Sequence, residues 1–357
     1  MKVCIVGAGV MGRLLAFYFV KMWYEVSVFE QFSSEPLNCS FASAGLLTPV
    51  SELEKSDPVI YQLGQEAMDC HWPAILNQLD SEIYFKKNGS LILSHPKDEA
   101  ELTHFIHRIE NKLSHPFYQR LNQSALAHYE PALQKFAGAY YVENEAHLDS
   151  QALLIALYDT LKTQGVEWND HAFVNELDSG KIKINHQTKH FDWVFDCRGR
   201  GGQSNFSDLF GIRGELIWVR AKEIQITRPI RFLHPRYSLY LVPRPDNIYL
   251  IGATEIQSEN RDEISVRSTL ELLTALFYLH PGFAEANILK TITQCRPTLP
   301  DYLPKIKYKK GLIAINGLYR HGFLIAPTLV NEILTYLKNG VTSLQYSHLW
   351  EKFYDEY

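Results

Sequence analysis

The first thirty residues constrain this chain most. Lys2 to Val6 is a short apolar run, and Gly7-Ala8-Gly9-Val10-Met11-Gly12 follows it as G-x-G-x-x-G. From Val10 to Met22 the residues are apolar on several faces (Leu14, Leu15, Tyr18, Phe19, Met22), which marks a buried helix. Tyr24 to Glu30 then alternates as a second strand. Strand, glycine turn, helix and strand make one βαβ unit, the context that gives the glycine motif its meaning. Gly7 allows the tight turn, Gly9 lets the backbone approach a pyrophosphate, and Gly12 lets helix and strand pack closely. The helix N-terminus offers unpaired N–H groups to phosphates. Glu30, at the end of the second strand, stands where a carboxylate binds ribose hydroxyls and disfavours a 2′-phosphate. The motif alone leaves open which dinucleotide is bound.

The chain has 357 residues, which suggests two domains at about 150 residues each. With 46% hydrophobic residues it can bury a large core, which excludes disordered and fibrous classes. A net charge of −5 argues against a nucleic-acid partner. No run approaches the ~20 apolar residues that span a bilayer. The N-terminus lacks a signal-peptide layout, and the five scattered cysteines contain no C-x-x-C. The expectation is a cytoplasmic protein with reduced thiols. The fourteen histidines show no zinc-binding spacing and no G-x-S-x-G elbow occurs, so neither a metal site nor a serine hydrolase is expected.

Further along, Asp57-Pro58 opens a helix expected to run to about Leu79. A β-rich stretch spans Ile83 to Leu93, with a turn near Asn88-Gly89, and an exposed helix is expected over Lys97 to Leu113. Asp149 caps a helix that Gly165 stops. Strands are expected near Val166–Trp168, Lys181–Ile184, Trp193–Cys197, Glu215–Val219, Tyr237–Val242, Ile248–Ile251 and Gly311–Ile315. Helices are expected over Ser265–Leu279 and from about Pro327 to Lys338. Small residues run from Ser40 to Pro49; side chains of that size let a backbone lie against a flat ligand, but the segment by itself reads as an ordinary polar loop.

Five islands carry a resemblance to a known family. They are GAGVMG at Gly7, SFASAGLLTP at Ser40, HLDSQALL at His147, YLVPR…YLIGATE from Tyr240 to Glu255, and QCRPTLPD…GLYRHGFLIAP from Gln294 to Pro327. Their order and spacing resemble the D-amino-acid oxidase superfamily of FAD enzymes, most closely the glycine oxidases that serve thiamine biosynthesis. The resemblance covers nearly the whole chain.

It implies an α/β fold: a Rossmann-like FAD-binding domain of the glutathione-reductase type, with a discontinuous α+β substrate domain on a largely antiparallel sheet. The FAD domain would comprise residues 1–82, 147–212 and 300–357, and the substrate domain 83–146 and 213–299. The cofactor implied is noncovalent FAD. Its binding would involve Gly7, Gly9, Val10, Met11, Gly12, Glu30, Gln31, Ser40, Ala44, Gly45, Leu46, Gly199, and Val174 in the strand after Gly165. Tyr319, Arg320, His321, Gly322, Phe323 and Leu324, between a strand and the last helix, would face the flavin pyrimidine edge. Arg296 would grip the substrate carboxylate through its planar fork, Tyr240 would donate to that carboxylate, and Arg320 would stand beside the substrate amine.

The implied reaction is hydride transfer from Cα of glycine, a small D-amino acid or an N-methyl amino acid. It needs no essential side-chain base, gives an imine, and ends with reoxidation by dioxygen to hydrogen peroxide. The alternatives are a dehydrogenase that passes electrons to a quinone, a silent flavin-binding protein, or an NAD-dependent dehydrogenase. Four features depart from the family pattern. Arg198 and Arg200 read as solvated charges, Ser238 stands where histidine is frequent, and Glu255 stands where a variant has methionine. Cys295 lies in the region where sarcosine oxidases attach FAD, and is expected to be a buried, inert thiol. The exact substrate and the oligomeric state stay open.

Overall fold

The computed structural model describes residues 1–33, 38–234 and 238–353. The opening unit folds as expected: strand Lys2–Val6, helix Val10–Lys21 and strand Glu25–Phe29. The helix is buried nearly all round, from Val10 to Phe17 and again at Phe19, because it packs against the last helix and against helix Ser150–Thr163. Its one charged residue in this core, Arg13, is satisfied there. Nε donates to the Ala8 carbonyl at 2.8 Å and Nη1 to the Leu154 carbonyl at 2.9 Å, with the guanidinium 4.9 Å from the Trp168 ring centre.

The first strand lies inside a sheet of order Trp350–Lys352, Lys305–Lys309, Leu312–Asn316, Trp193–Asp196, Lys2–Val6, Glu25–Phe29, Glu167–Asn169. The last five of these are parallel to their neighbours; Lys305–Lys309 runs antiparallel to Leu312–Asn316. A second, larger sheet is built on strands Phe210–Arg220, Ser238–Arg244 and Ile248–Gly252. It is antiparallel except where Ile230–Leu233 lies parallel to Ser90–Ser94. The fold is α/β with mixed sheets. Among the described residues no helix is long and apolar enough to cross a membrane.

Several sequence expectations need correction. The helix from Pro58 is interrupted: after Glu66 one π-turn, Ala67–His71, precedes Trp72–Leu76. Pro73 lacks the N–H that a regular helix needs there. The helix over Glu99–Glu110 is amphipathic rather than exposed, burying Leu102, Phe105, Ile106 and Ile109. Strands Phe85–Lys86 and Ser90–Ser94, on either side of Asn88-Gly89, belong to different sheets. Val174 lies in the loop after Glu167–Asn169, not in a strand. Strand Asn287–Thr298, which carries Arg296, was missed. Tyr237 of the expected strand Tyr237–Val242 lies outside the described residues, as does the side chain of Ser238.

The last helix runs Gly322–Asn339 and begins five residues before its expected start, with Pro327 inside it. A proline at this position cannot donate to the carbonyl four residues earlier, that of Phe323. The Trp72 indole Nε1 donates to that carbonyl instead, at 3.0 Å. Gly340, with φ +78°, ends the helix.

Candidate active site

One cavity of about 1110 Å³ reaches from the glycine loop to the second sheet. At its first end the glycines act through sterics. Gly7 has φ +99°, and a Cβ there would come within 2.5 Å of the Cys197 carbonyl oxygen. A Cβ on Gly12 would meet the Gly7 oxygen at 2.0 Å, so helix and strand pack at a distance that no side chain allows. The Val10 N–H donates to Ser40 Oγ at 2.9 Å, which joins the small-residue loop to the first helix turn. Glu30 is buried, and its carboxylate accepts from Ala8 N at 2.8 Å and Phe32 N at 3.2 Å. One backbone bond per oxygen leaves each a second lone pair for a ligand hydroxyl.

The last helix starts beside the first. A Cβ on Gly322 would meet only Val10 Cγ1, at 3.7 Å. Two helix N-termini, at Val10 and at Gly322, therefore border one cavity. Each offers first-turn N–H groups without helical partners and a partial positive charge. This arrangement fits FAD: the Val10 end suits the pyrophosphate, and the Gly322 end suits the ring edge that becomes negative on reduction.

The opposite end is lined by charged side chains from five stretches of chain: Glu52 with Lys55, Arg231, Glu255, Arg296 and Arg320. Tyr240 stands on strand Ser238–Arg244, and burial pushes its hydroxyl pKa up to about 12 against the opposing field of Arg296. Arg296 stands on strand Asn287–Thr298. Its Nη1 donates to the Thr254 carbonyl at 3.1 Å and the Arg213 carbonyl at 3.4 Å. Its guanidinium lies over Gly214, where a Cβ would come within 2.2 Å of Nη2.

Glu52 is the hub of this end. Its Oε2 pairs with Arg320 Nε at 2.7 Å and His321 Nε2 at 3.0 Å, and its Oε1 with Arg231 Nη2 at 2.9 Å. Burial alone would raise its pKa, but Arg320, the His321 bond and Arg231 hold it well below the usual carboxylate range. Arg320 also pairs with Glu255, which reaches Lys55 Nζ at 3.8 Å. Burial opposes the ionisation of Glu255, yet Arg320 and Lys55 keep its pKa low. Burial lowers the pKa of His321 despite its bond to Glu52, so the ring is neutral.

Of the expected residues, Arg296, Tyr240, Arg320, Gly7, Gly9, Val10, Met11, Glu30, Gln31, Ser40, Ala44, Leu46, Val174, Gly199, Tyr319, His321, Gly322, Phe323 and Leu324 all line the cavity. Gly12 and Gly45 do not; they shape its walls. Gly45 has φ +64° and a Cβ there would clash with the Leu148 oxygen at 2.1 Å. The solvated reading of Arg198 and Arg200 is overturned. Arg198 folds back onto Asp196 with two bonds of 2.8 Å, while Arg200 is buried against Glu259. Cys295 is buried on the strand face away from the cavity, with Sγ 3.4 Å from the Ser258 oxygen and 3.3 Å from the Asn260 oxygen. Sequence reasoning missed Glu52, Arg231 and Lys55. Their only signal was that Glu52 closely follows the small-residue loop.

The sequence pattern of the DAO family, FAD dependent oxidoreductases, matches residues 2–336. The chain is 33% identical over 334 residues to a putative thiamine biosynthesis oxidoreductase ThiO from Rhizobium etli, covering 93% of this chain and 95% of that protein. It is 25% identical over 347 residues to a glycine oxidase from Geobacillus kaustophilus, covering 91% and 89%. Among solved structures, glycine oxidase from Geobacillus kaustophilus superposes with a TM-score of 0.84 at 21% identity, covering 99% of this chain and 100% of that one. Iminodiacetate oxidase from Chelativorans sp. BNC1 superposes with a TM-score of 0.82 at 19% identity, covering 98% and 99%. The two helix N-termini at the cavity are thus those of a flavoprotein fold, and the chain belongs to the DAO family of FAD-dependent oxidoreductases.

Proposed function

We propose that this protein oxidises glycine or another small amino acid, D- or N-methyl, to its imine. The observation that carries this reading is that Arg296 and Tyr240, from different strands, line the far end of the cavity that begins at the glycine loop. Bound FAD would take hydride from Cα and pass the electrons to dioxygen, releasing hydrogen peroxide. Everything else falls to the chain. Arg296 grips the substrate carboxylate, and its anchoring on the Thr254 and Arg213 carbonyls sets its direction. Tyr240, still protonated at neutral pH, donates a second hydrogen bond. Arg320 borders the amine. No base is required, so catalysis rests on positioning and on fixed dipoles at the Gly322 helix start.

FAD is held noncovalently, since Cys295 faces away from the cavity. The two sheets suggest a cofactor domain of residues 1–82, 147–212 and 300–357, and a substrate domain of 83–146 and 213–299. The five unpaired cysteines suit a reducing cytoplasm. The name of the Rhizobium etli relative points to imine supply for thiamine synthesis. The test is anaerobic bleaching of the purified yellow protein with glycine, sarcosine and a panel of D-amino acids, followed by peroxide release in air. Bleaching by glycine or another small amino acid supports the reading; a flavin that no amino acid bleaches overturns it.

A further inference from the structure

We propose that Glu52 is the positioning residue of the substrate end: its single carboxylate holds the Arg320 guanidinium and the His321 imidazole in place at the start of the last helix and supplies the charge that balances them. The inference deepens the oxidase reading and rests on it for the place of Arg320 beside the substrate.

Glu52 ends the short helix Pro49–Glu52 and lines the cavity. Its partners come from far along the chain. Arg231 is 179 residues away on the second sheet, and His321 is 269 residues away at the cap of the last helix. One carboxylate thus joins three stretches of chain around the cavity, with His321 buried and Arg231 and Arg320 mostly so.

The chemistry follows from what a carboxylate can do. Ionised, it only accepts, so the ring nitrogen facing it, His321 Nε2, must carry the proton. Ser56 Oγ lies 3.1 Å from the same nitrogen. Nδ1 of the neutral ring then keeps its lone pair and has no partner among the described residues. Glu52 therefore fixes both the tautomer and the orientation of the ring. Arg320 is stretched between Glu52 and Glu255, which leaves its planar fork one orientation.

The charge matters as much as the geometry. Without Glu52, Arg231 and Arg320 would share a water-poor wall with one fewer anion. Excess positive charge in such a place favours any neighbouring group that becomes negative on reduction. A residue that only pinned the two sheets together would alter stability and leave this property unmoved.

The experiment uses the FAD-loaded protein and the variants Glu52→Gln and Glu52→Asp. Gln keeps the shape, removes the charge, and turns an amide donor towards donors. The expected result is unchanged FAD content, with a midpoint potential shifted upward in a reductive titration without amino acid. With substrate, kcat should fall about tenfold or more while KM changes less than about threefold. Asp, which keeps the charge, should return the potential to near the parent's. A Gln variant with the parent's potential and kcat, or Gln and Asp variants shifted alike, overturns the proposal. Should the Gln variant lose its FAD, Arg231→Met decides the matter. It removes a cation and leaves Glu52, so the potential must move downward; no shift, or an upward one, overturns the proposal. The titration uses no substrate, so a parent protein that no amino acid bleaches would sink the oxidase reading separately.

Discussion

Arg296 lies across Gly214, where a Cβ would come within 2.2 Å of Nη2 and the guanidinium would have to shift to admit it. Two predictions follow. Replacing Arg296 with alanine removes a charge-assisted fork, so KM for the amino acid should rise about 10- to 100-fold with FAD retained, as steady-state kinetics and flavin absorbance would measure. Gly214→Ala leaves the charge and displaces the fork, and should raise KM in the same direction while kcat holds. Glu145 supports a pH prediction. Burial pushes its pKa up to about 7, even though Ser51 N donates to it at 2.7 Å and Ser90 also hydrogen-bonds it. The ordinary glutamate pKa lies near 4.5. Below that pH both folded and unfolded states hold the proton, and Glu145 contributes no slope. As the pH rises towards 7 only the folded state holds it, so stability falls, by up to about 3 kcal/mol. Urea unfolding at pH 5 and pH 8 should show this loss in the parent and a flatter profile in Glu145→Gln. At the residue scale the sequence was legible where a residue stands in its own motif, as with Glu30 and Arg296, which both line the cavity. It was illegible for Glu52 and Arg231, whose meaning arises only when 179 residues of separation are folded away. Arg198 was misread because its partner, two residues back, is reached only when the turn after strand Trp193–Asp196 folds the chain onto itself.

The elements that follow local rules were the readable ones. Asp149 caps its helix by accepting from Gln151 N and Ala152 N, both at 3.0 Å, and Gly165, with φ +82°, follows the end of that helix. Strand Asn287–Thr298 escaped notice because, among the described residues, it pairs only with Phe210–Arg220 and its first half is exposed, so no apolar alternation marks it. The last helix was misplaced for a different reason. Pro327 resembles a helix start, yet the Phe323 carbonyl it leaves unbonded is taken by a tryptophan 251 residues away. Trp72→Phe should leave that buried carbonyl without a donor and cost about 1–3 kcal/mol in urea unfolding. Because Phe323 lines the cavity one residue past the helix start, the same variant should release FAD more readily, as fluorescence of the freed cofactor would measure.

On the scale of the whole molecule, cavity and fold are one object. FAD bound to the folded state alone stabilises it by about 2.7 kcal/mol at a hundredfold excess over its Kd. Stripping the cofactor should therefore lower the melting temperature. In Gly12→Ala, where helix and strand must separate to admit a Cβ, that difference should shrink because binding itself is weakened. The α/β character was legible from the opening strand, glycine turn, helix and strand. The strand order was not, because register between strands hundreds of residues apart leaves no local trace. That order has a consequence for how the protein comes into being. The first strand pairs on one side with Glu25–Phe29 and on the other with Trp193–Asp196, which in turn needs Leu312–Asn316. A ribosome releases the chain from its N-terminus, so the glycine loop waits, half-built, until Trp193–Asp196 and Leu312–Asn316 have followed it. The wall at Gly322 emerges about 300 residues after the glycine loop, and cofactor capture waits for it.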